Sequence, residues 1–408
     1  MPGQPLADRS CSLVAMGMIN ALGSGAEEIW PRLLAGDQSG FAVREDLVPG
    51  HRLVVGEIAK PLASVPKRFE RYASRNSEIL LATLEQLEKP ISDALANFDR
   101  DRIGVVIGTS TSGVCEAEAA IRHRHQTGEL THSFHYDQLE FGGTANFVAD
   151  WVGVDGPTYA ISTACSSGAR ALATARSLLT LGICDAVIAG ASDSLCGLTA
   201  SGFSSLQVVS AEITNPYSVN RSGMTLGEGA ALFLCVRDSG GIQLAGVGES
   251  TEAHHMSAPD PDGRGAEQAM RGALLDAQLS GDAIRYVNLH GTGTQLNDSM
   301  EAAAVERTFS ASPSSSSSPH CSSTKSLIGH TLGAAGAIEA GFCWLTLLHA
   351  TADGMELIPH VFDGVPDPDI RTPPLVTPAT RVLFGPTMTN SFGFGGNNCS
   401  LIFTGDVP

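Results

Sequence analysis

The chain has 408 residues, enough to bury a large core, and 43% hydrophobic against 17% charged residues describe a folded globular protein rather than a disordered one. Its formal net charge of -18 disfavours nucleic acid and anionic membrane as partners, because the field of the whole molecule repels both. No apolar run reaches the roughly 18 residues that span a bilayer, and MPGQPLADRS lacks a basic segment followed by an apolar one, so the expected location is cytoplasmic.

In chain order, the first feature is a basic stretch, Lys60, Lys67, Arg68, Arg71 and Arg75, read as helix-like. It is either a solvated helix face or the patch that an acidic protein partner would need. Arg102–Gly108 (RIGVVIG) reads as a buried strand entering a turn of small residues, TSTSG. Gly156–Gly190 then contains a short strand, a turn holding Cys165, and an alanine-rich helix over Ala169–Leu181. Asp185–Ala191 and Gly227–Val236 are apolar runs without alternation, as in strands covered on both faces.

Past a junction near residues 238–250 the pattern returns. Tyr286–His290 (YVNLH) enters GTGT much as RIGVVIG enters TSTSG, and Cys321–Ala350 repeats the strand, turn and small-residue helix of Gly156–Gly190. The segment between, Ser310–Pro319, is rich in serine and proline and reads as a flexible surface loop. Alternating strands and helices predict an α/β fold, and the recurrence predicts two related halves, 1–245 and 246–408.

Candidate chemistry sits in the turns. Cys165, at or beside a helix N-terminus, is placed where free backbone N–H groups and the helix dipole favour a thiolate, and the same N–H groups can hold an oxyanion. His290 ends a strand before a turn without bulk, and His330 lies where glycines and alanines crowd the start of a helix. Strand ends of an α/β sheet are where ligands bind, which turns two otherwise structural histidines into candidates. Lys325 stands in an uncharged run and needs a carboxylate partner, for which Asp298, Glu301 and Glu339 are the candidates; fixing loops by hydrogen bonds to backbone or to Lys325 is as good a reading of these acids as direct catalysis. Asn390–Asn397 (NSFGFGGN) sets Phe392 and Phe394 among glycines, a flexible gate over an apolar tunnel. Nine cysteines, odd in number and without a CxxC pair, predict no metal site and no disulfide framework.

Together TACSSG, HGTGTQLND, STKSLIGHTLGAAGAIE and NSFGFGGNN resemble the elongating β-ketoacyl-acyl carrier protein synthases, over about Ser12 to Phe403. The resemblance implies the thiolase fold, duplicated halves in a five-layered α/β/α/β/α arrangement. It implies that Cys165 takes an acyl chain, with the backbone N–H groups of Cys165 and Phe394 as oxyanion hole, and that His290 and His330 polarise a malonyl thioester during decarboxylative condensation. Lys325 would orient His330 and, with Glu339, balance the local charge. Thr292 and Thr294 match contacts to the phosphopantetheine arm that carries the substrates; no cofactor is expected to be bound. Phe394 matches a gating phenylalanine, His255 in Ala253–Pro259 a loop histidine, and Lys67, Arg68 and, beside them, Arg71 the docking site for acyl carrier protein.

Two departures stand out. Arg221-Ser222-Gly223-Met224 replaces the common arginine followed by Asp-Gly-Phe, and Pro216-Tyr217-Ser218 replaces proline-aromatic-aspartate, changes expected to reshape the acyl pocket around Met224, which leave fatty acid biosynthesis and a specialised polyketide or polyene pathway both open. Family members dimerise, so a homodimer or a heterodimer with a chain-length-factor-like relative is expected. Two rivals are weaker. A non-catalytic chain-length factor would have replaced Cys165, and a biosynthetic thiolase would need a second cysteine where only Cys399 stands, outside a Cys-x-Gly context.

Overall fold

In the computed structural model, which describes residues 11–237, 239–310 and 318–406, the first half supplies strands β1 (Ser12–Asn20), β2 (Ile103–Gly108), β3 (Thr158–Ile161), β4 (Ala186–Asp193) and β5 (Gly229–Val236). They lie in the order β3-β2-β4-β5-β1. The second array, whose first strand begins at Gln243 and so crosses the expected boundary at 245, has β6 (Gln243–Thr251), β7 (Tyr286–Asn288), β8 (His320–Ser322), β9 (Thr387–Gly393) and β10 (Asn397–Thr404), in the order β8-β7-β9-β10-β6. Ranked within its own half, each array reads 3-2-4-5-1. Strand directions repeat as well: in each array the first three strands along this order run parallel and the last two pairings are antiparallel. The strands of RIGVVIG and YVNLH thus hold equivalent places, as do those leading to Cys165 and to Lys325.

The two arrays meet where β1 and β6 pair antiparallel at Ser12 and Gln243, so hydrogen bonding runs through both halves. The internal repeat does not predict that continuity. Helices α1 (Arg75–Glu85) and α2 (Phe141–Val152) cover the outer face of the first array. Helix α3 (Ser167–Thr180) lies against its inner face. On the far side, α4 (Arg264–Ala277), with α5 (Gln295–Phe309) packed on it, covers the second array. Helix α6 (Ala335–Leu348) pairs with α3 in the middle layer, which completes five layers.

Composition explains which helix goes where. Helix α4 buries one stripe, Ala266, Ala269, Met270, Ala273 and Leu274, as an outer helix should. By contrast α6 is buried from Ala335 to Leu347, the all-round burial of a helix enclosed by protein. Small residues let α3 and α6 touch backbone to backbone: a Cβ on Gly168 would lie 2.6 Å from the Ala337 nitrogen, and one on Gly336 2.7 Å from the Ala169 nitrogen.

Some expectations change. The basic stretch is not one helix: Lys67–Tyr72 forms 3-10 turns broken at Phe69, and the α-helix begins only at Arg75, after Ser74 caps it by accepting from Ser77 N–H. The strand YVNLH ends at Asn288, which leaves His290 on the following loop. Residues 311–317 of the expected serine-rich loop lie outside the described residues. No helix among the described residues is long and apolar enough to cross a membrane.

Candidate active site

Cys165 sits in the tight turn between β3 and α3, two residues before the helix begins. Ala164 adopts a left-handed conformation, φ 53°, that non-glycine residues rarely accept. Two bonds hold it there: Ser167 Oγ donates to the Ala164 carbonyl at 2.6 Å and accepts from the Thr163 N–H at 2.9 Å. The resulting bend places the cysteine sulfur at a cavity with the residue only 7% exposed.

His330 Nε2 lies 3.1 Å from Cys165 Sγ. The other ring nitrogen of His330, Nδ1, accepts the Leu332 N–H at 3.2 Å, so the neutral ring carries its proton on Nε2, facing the sulfur. His290 stands edge-on to His330 with ring centroids 5.3 Å apart, and against Phe392 at 5.9 Å. Cys165, His290 and His330 each offer a polar atom within 4.8 Å of the others. A metal would require a lone pair at His330 Nε2, where this tautomer has a proton, so the trio is arranged to donate hydrogen bonds rather than to cage an ion.

Behind the trio, the side chains of Lys325 and Glu339 form an ion pair, each 1% exposed. Of the three carboxylates considered from sequence, Glu339 is therefore the partner. Lys325 does not bond His330 as expected; Leu332 orients that ring, and Lys325 acts on it by charge. Burial, reinforced by the Lys325 ammonium, holds both histidines well below their ordinary pKa, which keeps them neutral donors. Burial pushes Glu339 up to about 7 against the pull of Lys325.

For Cys165 the expectation was a lowered pKa. Burial wins instead and pushes the thiol up to about 11, opposed by the Lys325 charge and by the backbone N–H groups of Phe394 and Cys165. Cys165 stands two residues before the helix, yet desolvation in so enclosed a place decides the outcome.

Glu301 and Asp298 hold the HGTGT loop. Glu301 accepts from the N–H groups of His290 and Gly291 at 2.8 and 2.7 Å and from the Tyr217 hydroxyl at 3.0 Å. Asp298 accepts from the Tyr217 and Gly293 N–H groups at 2.9 and 3.2 Å. Both serve the loop-fixing alternative. The departure at Pro216–Ser218 thus sits beside the site: Tyr217 is fully buried and tied to both acids, while Ser218 Oγ donates to Asp363 at 3.0 Å.

The cavity measures about 330 Å³. Besides the trio, Met224, Phe392 and Phe394 line it, and so do Thr292 and Thr294, whose hydroxyls are 3.0 Å apart. Phe394 stacks at a tilt on Phe203 with centroids 5.7 Å apart, and the neighbouring Gly395 N–H donates to the Met256 carbonyl at 2.9 Å. Gly395 and Gly396 both have φ near 78°, and a Cβ on Gly396 would lie 2.1 Å from the Glu252 carbonyl, so this turn requires glycine. Ser257–Pro259 line the cavity, but His255 does not; it is exposed, and its Nδ1 accepts the N–H groups of Ser257 and Ala258, ordering its own loop.

The basic stretch is largely neutralised. Lys60 pairs with Glu28, Arg75 with Glu228, and Arg71 with Asp150 and Asp137. Lys67 and Arg68 remain exposed without an acidic partner among the described residues, and the Arg68 guanidinium lies over Phe69 at 4.7 Å.

Asp193 was missed by the sequence reading. It ends β4, fully buried, and accepts from Thr109, Ser110 and Thr111 in the TSTSG turn and from the Gly333 N–H at 2.6 Å. Its signal in sequence is faint: one acidic residue closing an apolar strand.

Comparison with known proteins agrees with this geometry. Residues 8–239 match the family model of the beta-ketoacyl synthase N-terminal domain and residues 242–354 that of the C-terminal domain. The mitochondrial 3-oxoacyl-[acyl-carrier-protein] synthase of Arabidopsis thaliana is 31% identical over 97% of this chain and 93% of its own, and synthase 2 of Rhizobium meliloti 31% over 97% and 98%. Among solved structures, a ketosynthase in complex with its chain length factor from Xenorhabdus doucetiae is 38% identical with a TM-score of 0.91 over 100% of both chains. A beta-ketoacyl synthase from Burkholderia phymatum is 27% identical with a TM-score of 0.84 over 97% and 99%. Fold, ordered motifs and these matches agree: the chain belongs to the β-ketoacyl synthase family of acyl-transferring enzymes.

Proposed function

We propose that this chain is the catalytic subunit of a ketosynthase that builds a polyketide or polyene chain on acyl carrier protein, paired with a chain-length-factor-like relative. The observation that carries the reading is the 3.1 Å approach of His330 Nε2 to Cys165 Sγ with His290 in the same cavity. A non-catalytic partner subunit has no use for that arrangement. The identity to a ketosynthase solved with its chain length factor exceeds that to the 3-oxoacyl synthases reported above, which supports the pathway and the partner.

In the first step Cys165 Sγ bonds the acyl carbonyl carbon, the carbon–sulfur bond to the carrier breaks, and the cysteine proton leaves with the carrier thiol. The N–H groups of Cys165 and Phe394 receive the oxyanion between. In the second step malonyl on its carrier loses carbon dioxide, and the electron pair of the broken carbon–carbon bond develops as an enolate. Neutral donors at His330 Nε2 and on His290 stabilise its oxygen; each is worth about a hundredfold or more in rate, as for oxyanion holes generally. The enolate carbon then bonds the acyl carbon, and Cys165 leaves as a thiolate and is reprotonated.

Mass spectrometry of Cys165 tests this. The chain, alone and co-expressed with a chain-length-factor-like relative, is incubated with a panel of acyl carrier protein thioesters. An acyl adduct on Cys165, absent in Cys165→Ala, is expected, together with release of carbon dioxide from the malonyl carrier. No adduct in either preparation would refute the catalytic reading.

A further inference from the structure

We propose that Asp193 is a positioning residue for the condensation: through Gly333 and Leu332 it keeps the proton of His330 on Nε2, directed at the reacting centre. The inference rests on the chemistry assigned above and adds to it a residue that touches no substrate.

The chain of contacts is short. Asp193 Oδ2 accepts the Gly333 N–H at 2.6 Å. Gly333 follows Leu332, whose backbone is held in the left-handed region at φ 53°, a conformation that a leucine does not choose unaided. In that conformation the Leu332 N–H points at His330 Nδ1, 3.2 Å away. With Nδ1 occupied as acceptor, the neutral imidazole has one remaining place for its proton, Nε2, which faces Cys165 Sγ at 3.1 Å. Released from Asp193, the 331–333 turn can relax, Nδ1 can take the proton, and Nε2 then presents a lone pair to a developing enolate.

Asp193 is built for this as a carboxylate. Thr109 Oγ1, the N–H groups of Ser110 and Thr111, and Thr111 Oγ1 all donate to Oδ1 within 2.8 Å, while Ser110 N–H at 3.1 Å and Gly333 N–H donate to Oδ2. In this arrangement every contact donates to it, and these hydrogen bonds oppose the burial that pushes its pKa up. The same acid joins the TSTSG turn of the first half to the His330 loop of the second, and Ser110 Oγ lies near enough to Gly333 that a Cβ there would meet it at 2.6 Å and Asp193 Oδ2 at 2.8 Å.

Two variants break the contact from opposite sides. Asp193→Asn turns amide hydrogens toward donors, and Gly333→Ala forces the carboxylate and Ser110 away from the Gly333 nitrogen. The readouts are nitrogen-15 NMR of the His330 ring in the full chain, which separates the two tautomers, and the rates of Cys165 acylation and malonyl decarboxylation measured apart. Both variants are expected to shift His330 toward the Nδ1-protonated form and to lower decarboxylation about a hundredfold, the loss of one oxyanion donor, with acylation reduced far less. Asp193→Glu, which keeps the carboxylate, should recover part of the decarboxylation. Should either folded variant keep the wild-type tautomer, or lose both rates equally, the positioning role is overturned; absent decarboxylation in the wild-type enzyme would instead refute the proposed function.

Discussion

The buried pair Lys325–Glu339 yields a prediction about the pH dependence of stability. Both side chains are 1% exposed, so removing one leaves the other charge with no solvent to turn to. A stranded Glu339 carboxylate escapes by taking up a proton, at a cost that depends on pH. In Lys325→Met, Glu339 must take up a proton. Its folded pKa then rises above the ordinary 4.5, beyond the 7 or so it has beside Lys325. Relative to the wild type the penalty is small below about pH 7, where Glu339 is already largely protonated, and grows by about 1.4 kcal/mol per pH unit above it, to about 2 kcal/mol at pH 8.5. In Glu339→Gln the Lys325 ammonium is left buried without its partner, and breaking a buried pair from one side costs about 3–5 kcal/mol. Denaturant unfolding at about pH 6 and pH 8.5 should therefore show Lys325→Met losing stability relative to the wild type as pH rises. The double variant Lys325→Met, Glu339→Leu should be more stable than either single one, because no charge is left stranded. A stability difference between Lys325→Met and the wild type that stays the same from pH 6 to pH 8.5 would falsify the argument.

Other outcomes follow from the same coordinates. Because burial pushes Cys165 up to about 11, alkylation of the substrate-free enzyme by iodoacetamide should speed up about tenfold per pH unit through pH 9; a plateau below that would mean the thiol is not desolvated as the cavity implies. Gly168→Ala drives a methyl to within 2.6 Å of the Ala337 backbone in the middle layer, and should cost at least about 1–3 kcal/mol in denaturant unfolding; wild-type stability would show that α3 and α6 are not in backbone contact. Charge reversal at both Lys67 and Arg68 should weaken binding of acyl carrier protein in a titration while leaving alkylation of Cys165 intact, whereas unchanged affinity would move the docking site elsewhere.

What could be read from the residues alone is what chain-local order carries. Small residues around Cys165, His290 and His330, each at the end of an apolar run, announce turns that leave a side chain reachable, and their recurrence at matching places announces the duplication. The rest is decided by partners far apart in the chain. Nothing local tells that Lys325 takes Glu339 while Asp298 and Glu301 hold a loop, or that Asp193 meets Gly333 140 residues away. The thiol pKa changed sign from the expectation for the same reason: a helix N-terminus is visible in sequence, but the depth of desolvation around Cys165 is set by chain segments that only the folded protein brings over it.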